Sequence, residues 1–224
     1  MADVTPLDEA VRDRLGAVRL RLERAGGTDA LRIVAVTKGF GGTAVAAAVA
    51  AGLLDVGESY APELATKALA SAGGVALIRW HFIGRLQSNK VKRLSSIVHL
   101  WQSVDRTSVV AEIARHAPGA AVLVQVNVSG EPQKGGCDPT DAPALVAEAT
   151  SAGLDVRGLM CVAAAGGNDA ARPGFRLLRS VADDLGLQER SMGMSGDLEA
   201  AVEEGATIVR LGTALLGPRV VPAG

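Results

Sequence analysis

The segment RIVAVTKGFGG, residues 32–42, carries the pattern that the rest of the chain repeats. Residues 33–37, IVAVT, are mostly β-branched and apolar, which is typical of a parallel strand buried on both faces. The strand ends at Lys38, and the glycines of GFGG indicate a turn before the Ala-rich segment TAVAAAVAAG (43–52). The stretch therefore predicts a strand, a turn and a helix, with one lysine at the carboxyl end of the strand.

Apolar runs and helical segments alternate from here to the end of the sequence. The runs predict seven further strands: LLDVGES (53–59), ALIRWHFIG (76–84), IVHLWQSV (97–104), AVLVQVNV (121–128), VRGLMCVA (156–163), SMGMS (191–195) and TIVRLG (207–212). Apolar spacing or a closing glycine predicts helices over residues 7–22, 43–52, 61–74, 86–94, 106–117, 141–153, 175–185 and 196–205. SMGMS alone is too short to identify as a strand.

This alternation indicates an α/β fold. Eight strand–helix units favour a single (β/α)8 TIM barrel, with an extra N-terminal helix before the first strand. The alternative is an open doubly wound sheet, which has the same alternation. We expect one domain over residues 1–224, because no linker or low-complexity segment interrupts the pattern.

Composition excludes several classes of protein. Apolar residues make up 48% of the chain and the net charge is −1, with basic residues spread along the sequence, so a nucleic-acid binder is not expected. Cys137 and Cys161 lie far apart without a CxxC motif, which argues against a metal site or a disulfide framework. No signal peptide or membrane span is visible. We therefore expect a cytoplasmic protein without a membrane partner. The short chain without an extra domain favours a monomer.

Two loops predict an anion site at the carboxyl ends of the strands, where barrels carry their chemistry. Ser195 and Gly196 follow the seventh strand, and Gly212 and Thr213 follow the eighth. Loops at these positions often bind phosphate through backbone N–H groups and hydroxyls. Ser195 has a simpler alternative role as a helix N-cap. The two loops on neighbouring strands together favour the phosphate site.

Lys38 is expected to face this anion site across the mouth of the barrel. In water a lysine amine has a pKa of ~10.4 and is protonated, but burial at a strand end lowers the pKa and frees the nucleophile. Lys38 could then form a Schiff base with a phosphate ester that carries a carbonyl group. The alternative is a solvated lysine that begins a loop.

Several motifs resemble a known family from the first strand to the last. These are AVTKGF (35–40), VGESYAPEL (56–64), WHFIGRLQSNK (80–90), WQSVDR (101–106), VLVQVNVSGEPQKGG (122–136), GLMCVAA (158–164) and SMGMSGDLEAAVEEGATIVRLGTALLG (191–217). They are similar to the pyridoxal 5′-phosphate homeostasis proteins, the YggS/PROSC group. The resemblance implies the barrel of alanine racemase without the additional β domain of that enzyme.

The resemblance also implies a set of cofactor-binding residues for pyridoxal 5′-phosphate. Lys38 would be the Schiff-base lysine, and Ser195, Gly212 and Thr213 would hold the phosphate. Arg210 would face the pyridine nitrogen. The remaining implied residues lie in the same loops or on the cofactor wall: Gly193, Met194, His81, Ile83 and Ser59. Ser59 replaces the asparagine that the family often has, and GFGG replaces a turn that often contains proline.

The implied function is pyridoxal phosphate homeostasis, by storage, buffering or transfer of the cofactor to apo-enzymes. Arg210 only donates hydrogen bonds, so it favours an unprotonated ring, which is a poor electron sink. Racemisation needs an acid–base group on each face of the cofactor. Tyr60 is the only tyrosine, and His81 is more easily explained as a packed core residue. A non-catalytic carrier is favoured; an amino-acid racemase and a Schiff-base aldolase for sugar phosphates are the alternatives.

Overall fold

The computed structural model describes residues 6–72 and 78–218, and its strands close into one parallel barrel. The strands are β1 Arg32–Val36, β2 Asp55–Glu58, β3 Arg79–Phe82, β4 Val98–Val104, β5 Ala121–Gln125, β6 Asp155–Met160, β7 Glu189–Ser191 and β8 Ile208–Leu211. The helices are α1 Pro6–Arg24, α2 Gly42–Ala50, α3 Ala61–Ser71, α4 Val91–Leu94, α5 Thr107–His116, α6 Ala142–Ser151, α7 Asn168–Asp184, α8 Leu198–Glu203 and α9 Thr213–Leu216. Two 3₁₀ turns, Ser88–Lys90 and Pro132–Lys134, lie in the loops.

The pairing of β1 decides between the barrel and the open sheet. Ala35 of β1 pairs with Val56 of β2 on one side and with Leu211 of β8 on the other, and both pairings are parallel. A strand order that returns to its beginning has no open edge. The barrel prediction is therefore confirmed and the doubly wound alternative is wrong.

Some predicted boundaries differ from the structure. The predicted strand over 191–195 has the wrong bounds, because β7 covers Glu189–Ser191. Met192 and Gly193 still form backbone hydrogen bonds with β8 beyond the end of the strand. The predicted helix over 86–94 is a 3₁₀ turn followed by the single turn α4. The predictions for residues 73–77 lie outside the described residues.

The barrel has an inner core and an outer layer against the helices. Alternate residues of a strand point to opposite faces, so Val34 of β1 lies inside while Ala35 packs under α1 and α2. The inner apolar cluster consists of Val34, Leu100, Ala121, Leu123, Met160 and Ile208. The larger outer cluster contains the bulky side chains Trp101, Phe82, Phe175 and Leu64, all at most 2% exposed.

Helix α1 packs beside β1 and β8 and supports the loop after β7. Its buried stripe is formed by Val11, Leu15, Val18 and Leu22. Arg21, on the same helix, forms an ion pair with Glu199 at 2.6 Å and donates a hydrogen bond to the carbonyl oxygen of Ser195 at 3.3 Å. The extra helix therefore contacts a loop that the sequence assigns to the anion site.

No helix within residues 6–72 and 78–218 combines the length and the hydropathy that a membrane crossing needs. In the same part of the chain, no group of three or more His, Cys, Asp or Glu side chains could hold a metal ion.

Candidate functional site

A cavity of about 540 Å³ lies at the carboxyl ends of the strands. Its wall is built by β1, β3, β6 and β8 with the loops that follow β7 and β8. The lining residues are Val36, Lys38, Phe40, Ile83, Val162, Met194, Ser195, Gly196, Arg210, Gly212 and Thr213. Seven of the ten residues that the sequence predicts for cofactor binding are therefore brought together: Lys38, Ile83, Met194, Ser195, Arg210, Gly212 and Thr213.

The loops after β7 and β8 present unused hydrogen-bond donors to this cavity. The amides of Ser195, Gly196, Gly212 and Thr213 donate to no other residue within the described part of the chain. The Ser195 hydroxyl oxygen accepts from the amide of Ala214 at 3.2 Å, which ties the two loops together and leaves the hydroxyl proton available. Ser195 is not the N-cap of α8, because Asp197 occupies that position. Ser195 therefore does not cap α8, and its oxygen instead accepts from the second amide of α9.

Gly193 shapes the loop without lining the cavity. Its φ of +93° lies in the left-handed region, and a Cβ at this position would lie 2.4 Å from the Cβ of Ala201. Directly after Gly193, the amide of Met194 donates to Asp197 Oδ1 at 2.5 Å. Because this bond engages the carboxylate with the loop backbone, Asp197 helps to fix the conformation that exposes the amides of Ser195 and Gly196.

Arg210 lies at the base of the cavity and is 4% exposed. Its Nη1 donates to the carbonyl oxygen and the hydroxyl of Ser191, at 2.8 and 2.7 Å, and its Nη2 donates to the carbonyl oxygen of Cys161 at 2.6 Å. The Nε–H and the second Nη2–H have no acceptor among the described residues. No carboxylate forms an ion pair with Arg210 in residues 6–72 and 78–218, and burial lowers the pKa of its guanidinium. A ligand atom that accepts a hydrogen bond would satisfy this side chain.

His81 lies inside the barrel, and the structure does not place it in the cavity wall. It is fully buried, and both ring nitrogens have partners: Asp55 Oδ1 at 2.9 Å from Nε2, and Gln102 Nε2 at 2.7 Å from Nδ1. The Gln102 carbonyl oxygen in turn accepts from the Ser191 hydroxyl at 2.6 Å. His81 is therefore linked to Arg210 through Gln102 and Ser191.

A buried ion cluster that sequence reasoning missed lies directly beneath Lys38. Lys67 of α3 donates to the carbonyl oxygen of Thr37 at 2.7 Å, to Glu58 Oε1 at 2.6 Å and to Glu63 Oε1 at 2.7 Å. Glu63 Oε1 also accepts from the amide of Gly39 at 2.8 Å. The residues on both sides of Lys38 are thus held by one cluster. The i, i+4 spacing of Glu63 and Lys67 was the signal in the sequence.

Glu58 is the most buried member of this cluster. Burial raises the pKa of its carboxyl, while hydrogen bonds from Lys67 and Thr37 act in the opposite direction. Its Oε2 is buried and has no hydrogen-bond partner among the described residues. Within residues 6–72 and 78–218, Lys67 supplies the one ion pair of this carboxylate.

A second cavity, of about 800 Å³, adjoins the first and shares Lys38 and Ile83 with it. Its wall contains Ser59 and Tyr60, together with Arg85, Lys90 and Arg106. A Cβ on Gly84 would lie 2.1 Å from the carbonyl oxygen of Ser59, so only glycine allows the loops after β2 and β3 to meet here. The structure thus places Ser59 beyond Lys38 rather than in the first cavity.

No family model matches the chain, but known proteins resemble it over nearly its whole length. It is 43% identical over 215 residues to the Pyridoxal phosphate homeostasis protein of Pseudomonas aeruginosa, covering 91% of this chain and 92% of that one. The protein of the same name from Deinococcus radiodurans is 40% identical over 195 residues, covering 86% and 90%. The chain belongs to the pyridoxal phosphate homeostasis protein family. The resemblance seen in the sequence is confirmed.

Solved structures agree with this family and with its fold. PipY from Synechococcus elongatus, solved with PLP bound, superposes with a TM-score of 0.82 at 30% identity and covers 92% of this chain and 100% of that one. Alanine racemase from Streptomyces coelicolor superposes with a TM-score of 0.72 at 25% identity, covering 93% of this chain and 58% of the racemase. The prediction that this member of the pyridoxal phosphate homeostasis protein family has a barrel of the alanine racemase type is therefore confirmed.

Proposed function

We propose that this protein binds pyridoxal 5′-phosphate in the first cavity and serves its homeostasis by storing, buffering or transferring it. The observation that carries the proposal is the division of the cavity wall into three chemically different parts. Four unused amides with two hydroxyls suit a phosphate, the Lys38 amine suits an aldehyde, and the unused donors of Arg210 suit a pyridine nitrogen. PLP in PipY and the names of the relatives support the same ligand.

Each part of the wall has a defined role in this proposal. Ser195, Gly196, Gly212 and Thr213 bind the phosphate through backbone N–H groups and hydroxyls, each bond to a charged group contributing ~1.5–3 kcal/mol. Lys38 Nζ forms a Schiff base with the aldehyde and releases water. Ile83 and Val162 supply apolar surface for the ring. Gly193 and Asp197 hold the phosphate loop, and Ser59 lies beyond Lys38.

The residues of the cavity wall favour a non-catalytic carrier over a racemase. Among the described residues that line the cavity, only Lys38 and Arg210 have basic side chains, and a guanidinium in a protein does not lose its proton. Tyr60 lines the second cavity and is 62% exposed. A second acid–base group is thus missing from the described wall. Arg210 also favours an unprotonated, weakly electron-withdrawing ring.

We also propose that the carrier is a cytoplasmic monomer that hands the cofactor to apo-enzymes. Its two cysteines are free thiols and not a disulfide, which fits a reducing compartment, and burial raises the pKa of Cys137 to about 11 and of Cys161 to about 12. Sedimentation of the full chain, with and without cofactor, tests the monomer; a dimer at micromolar concentration contradicts it.

The test of the central proposal is the visible absorption of the full chain titrated with pyridoxal phosphate. We expect a saturable yellow band, and borohydride should fix one cofactor on the peptide that contains Lys38. Lys90→Ala is the control, because Lys90 lines only the second cavity. A colourless protein that takes up no cofactor contradicts the proposal and favours the aldolase alternative. Deuterium exchange at Cα of added amino acids in D₂O favours the racemase.

A further inference from the structure

We propose that Gln102 and His81 are positioning residues for Arg210, acting through the hydroxyl of Ser191. The inference deepens the proposed function, because it concerns how the protein orients the side chain that faces the pyridine nitrogen. It starts from a series of hydrogen bonds that crosses the barrel interior, from Arg79 at one end to Arg210 at the cofactor cavity. Arg79 is 39% exposed in its side chain, whereas Arg210 is buried.

With Gln102 Oε1 directed at Ser191, as in the structure, each proton in this series has one position. Arg210 Nη1 can only donate, so the Ser191 oxygen accepts from it and the Ser191 proton goes to Gln102 Oε1. The Gln102 amide then turns its NH₂ group to His81, so Nδ1 accepts and the imidazole proton sits on Nε2. That proton is donated to Asp55, whose other donor is Arg79. The series therefore runs in one direction from Arg210 to Asp55.

The burial of this series argues against simple filling of the barrel. His81, Gln102 and Ser191 are at most 1% exposed, and apolar side chains occupy the neighbouring interior positions. Buried polar groups cost free energy unless all of them are paired, and an apolar core of the same shape is often as stable. Every side-chain polar atom of these three residues is paired here. What they provide in addition is one fixed acceptor for Arg210.

The orientation of Arg210 depends on the direction of the series. The Ser191 hydroxyl keeps its lone pairs toward Nη1 only while Gln102 Oε1 holds its proton. Since Nη1 is fixed at Ser191 and Nη2 at Cys161, the guanidinium plane is set, and its unused N–H groups keep one direction. Removing the acceptor at residue 102 frees the Ser191 hydroxyl to rotate and weakens this alignment.

Two substitutions of Gln102 separate positioning from packing. Gln102→Met keeps the length of the side chain but removes the acceptor for Ser191 and the donor for His81. Gln102→Glu keeps the acceptor for Ser191, and His81 then binds a second proton to donate from Nδ1 to the new carboxylate. If the site were only a packing position, Met would be tolerated and the buried carboxylate of Glu would not. If Gln102 instead positions Arg210, Gln102→Glu should be tolerated and Gln102→Met should not.

The measurements are made on the full chain with and without pyridoxal phosphate. We expect Gln102→Met to raise the dissociation constant about tenfold and to shift the absorption band of the bound cofactor, and Gln102→Glu to stay within about threefold of the wild type. Gln188→Met, at an exposed position just before the amino end of β7, is the control and should leave both readouts unchanged. Equal affinities for Met and wild type, or weaker binding by Glu than by Met, overturn the inference.

Nitrogen NMR of His81 tests the direction of the series without any cofactor. The wild type should show a neutral imidazole protonated on Nε2, Gln102→Met should keep a neutral ring, and Gln102→Glu should show the doubly protonated ring near pH 7. A wild-type proton on Nδ1 overturns the inference even if the cofactor binds. Failure of the wild type to bind pyridoxal phosphate refutes the proposed function instead, so the two failures are distinguishable.

Discussion

The ammonium of Lys67 donates a hydrogen bond of 2.7 Å to the carbonyl oxygen of Thr37, the residue directly before Lys38. The same ammonium pairs with Glu58 and Glu63, and Glu63 holds the amide of Gly39, the residue directly after Lys38. The backbone on both sides of the proposed Schiff-base lysine is thus fixed by one buried cluster between the barrel and α3.

Lys67→Met should destabilise the protein strongly. The substitution leaves Glu58, which is fully buried, without an ion pair, and breaking a buried pair in this way costs about 3–5 kcal/mol. Urea unfolding followed by circular dichroism measures the change. Lys92→Met is the control, because Lys92 is exposed on α4 and substitutions at such positions stay within about 0.5 kcal/mol. A loss below about 1 kcal/mol in Lys67→Met would mean that the cluster does not hold the segment.

The parts of the site that follow a strand could be predicted from the sequence. Lys38, Ser195 and Thr213 each come directly after an apolar run or its turn, and a parallel barrel gathers the carboxyl ends of all its strands. Strand seven was the weak point: β7 has three residues, too few for a period to be visible, so its start was predicted at Ser191 when the strand ends there.

The side-chain contacts inside the barrel and under α3 could not be predicted from the sequence in the same way. In strands buried on both faces the apolar pattern does not tell which residues point inward. His81 was therefore assigned to the cofactor wall only through the family resemblance. Its link to Gln102 depends on the register between β3 and β4, which shifts between Trp80 and His81. The pairing of Glu58 with Lys67 likewise depends on how α3 packs against β2. The spacing of residues along the chain does not show this packing.

Lys38→Ala should abolish the yellow band but keep non-covalent binding of pyridoxal phosphate. The amides of the two loops and the donors of Arg210 remain, so we expect the affinity to fall roughly 10- to 100-fold, or ~1.4–2.8 kcal/mol. Fluorescence quenching or equilibrium dialysis measures the residual binding, and borohydride should no longer attach the cofactor. Complete loss of binding would show that the phosphate loops are not the anchor.

Ser195→Ala should weaken cofactor binding without changing the colour of the complex. The variant loses the hydroxyl donor to the phosphate and the link to the amide of Ala214, and one bond to a charged group is worth ~1.5–3 kcal/mol, or roughly tenfold or more in affinity. Ser95→Ala, whose hydroxyl bonds only to the carbonyl oxygen of Lys92, is the control. A shifted absorption maximum in Ser195→Ala would instead place the serine near the ring.

Two glycines of the phosphate loop should respond differently to alanine. Gly193→Ala forces a left-handed φ on alanine and brings its Cβ 2.4 Å from that of Ala201, so we expect a loss of stability of about 1–3 kcal/mol. Gly196→Ala meets no atom within 4 Å and should leave stability within about 0.5–1 kcal/mol. Because Gly196 lines the cavity, its variant should weaken cofactor binding. Equal melting temperatures for the two variants would contradict the assigned strain.

The stability of the protein should decrease as the pH falls through the range where histidine titrates. Burial lowers the pKa of His81 below its ordinary value of ~6.5, and hydrogen bonding and charge attraction from Asp55 only partly oppose this. The unfolded chain then binds the proton more readily than the folded chain does. The contribution of neutral His81 is therefore complete above about pH 6.5 and is lost progressively as the pH drops from there toward the folded pKa.

Unfolding free energies at pH 7.5 and pH 5.5 test this sign in the wild type and in His81→Gln. One titrating group changes stability by at most ~1.4 kcal/mol per pH unit, and the variant should lose that part of the slope whatever its absolute stability. His99→Gln is the matched control: burial also lowers the pKa of His99, but this side chain is exposed, so its part of the slope should be smaller. A steeper slope in His81→Gln than in the wild type would mean that the folded protein holds His81 protonated, against the hydrogen-bond directions that the structure requires.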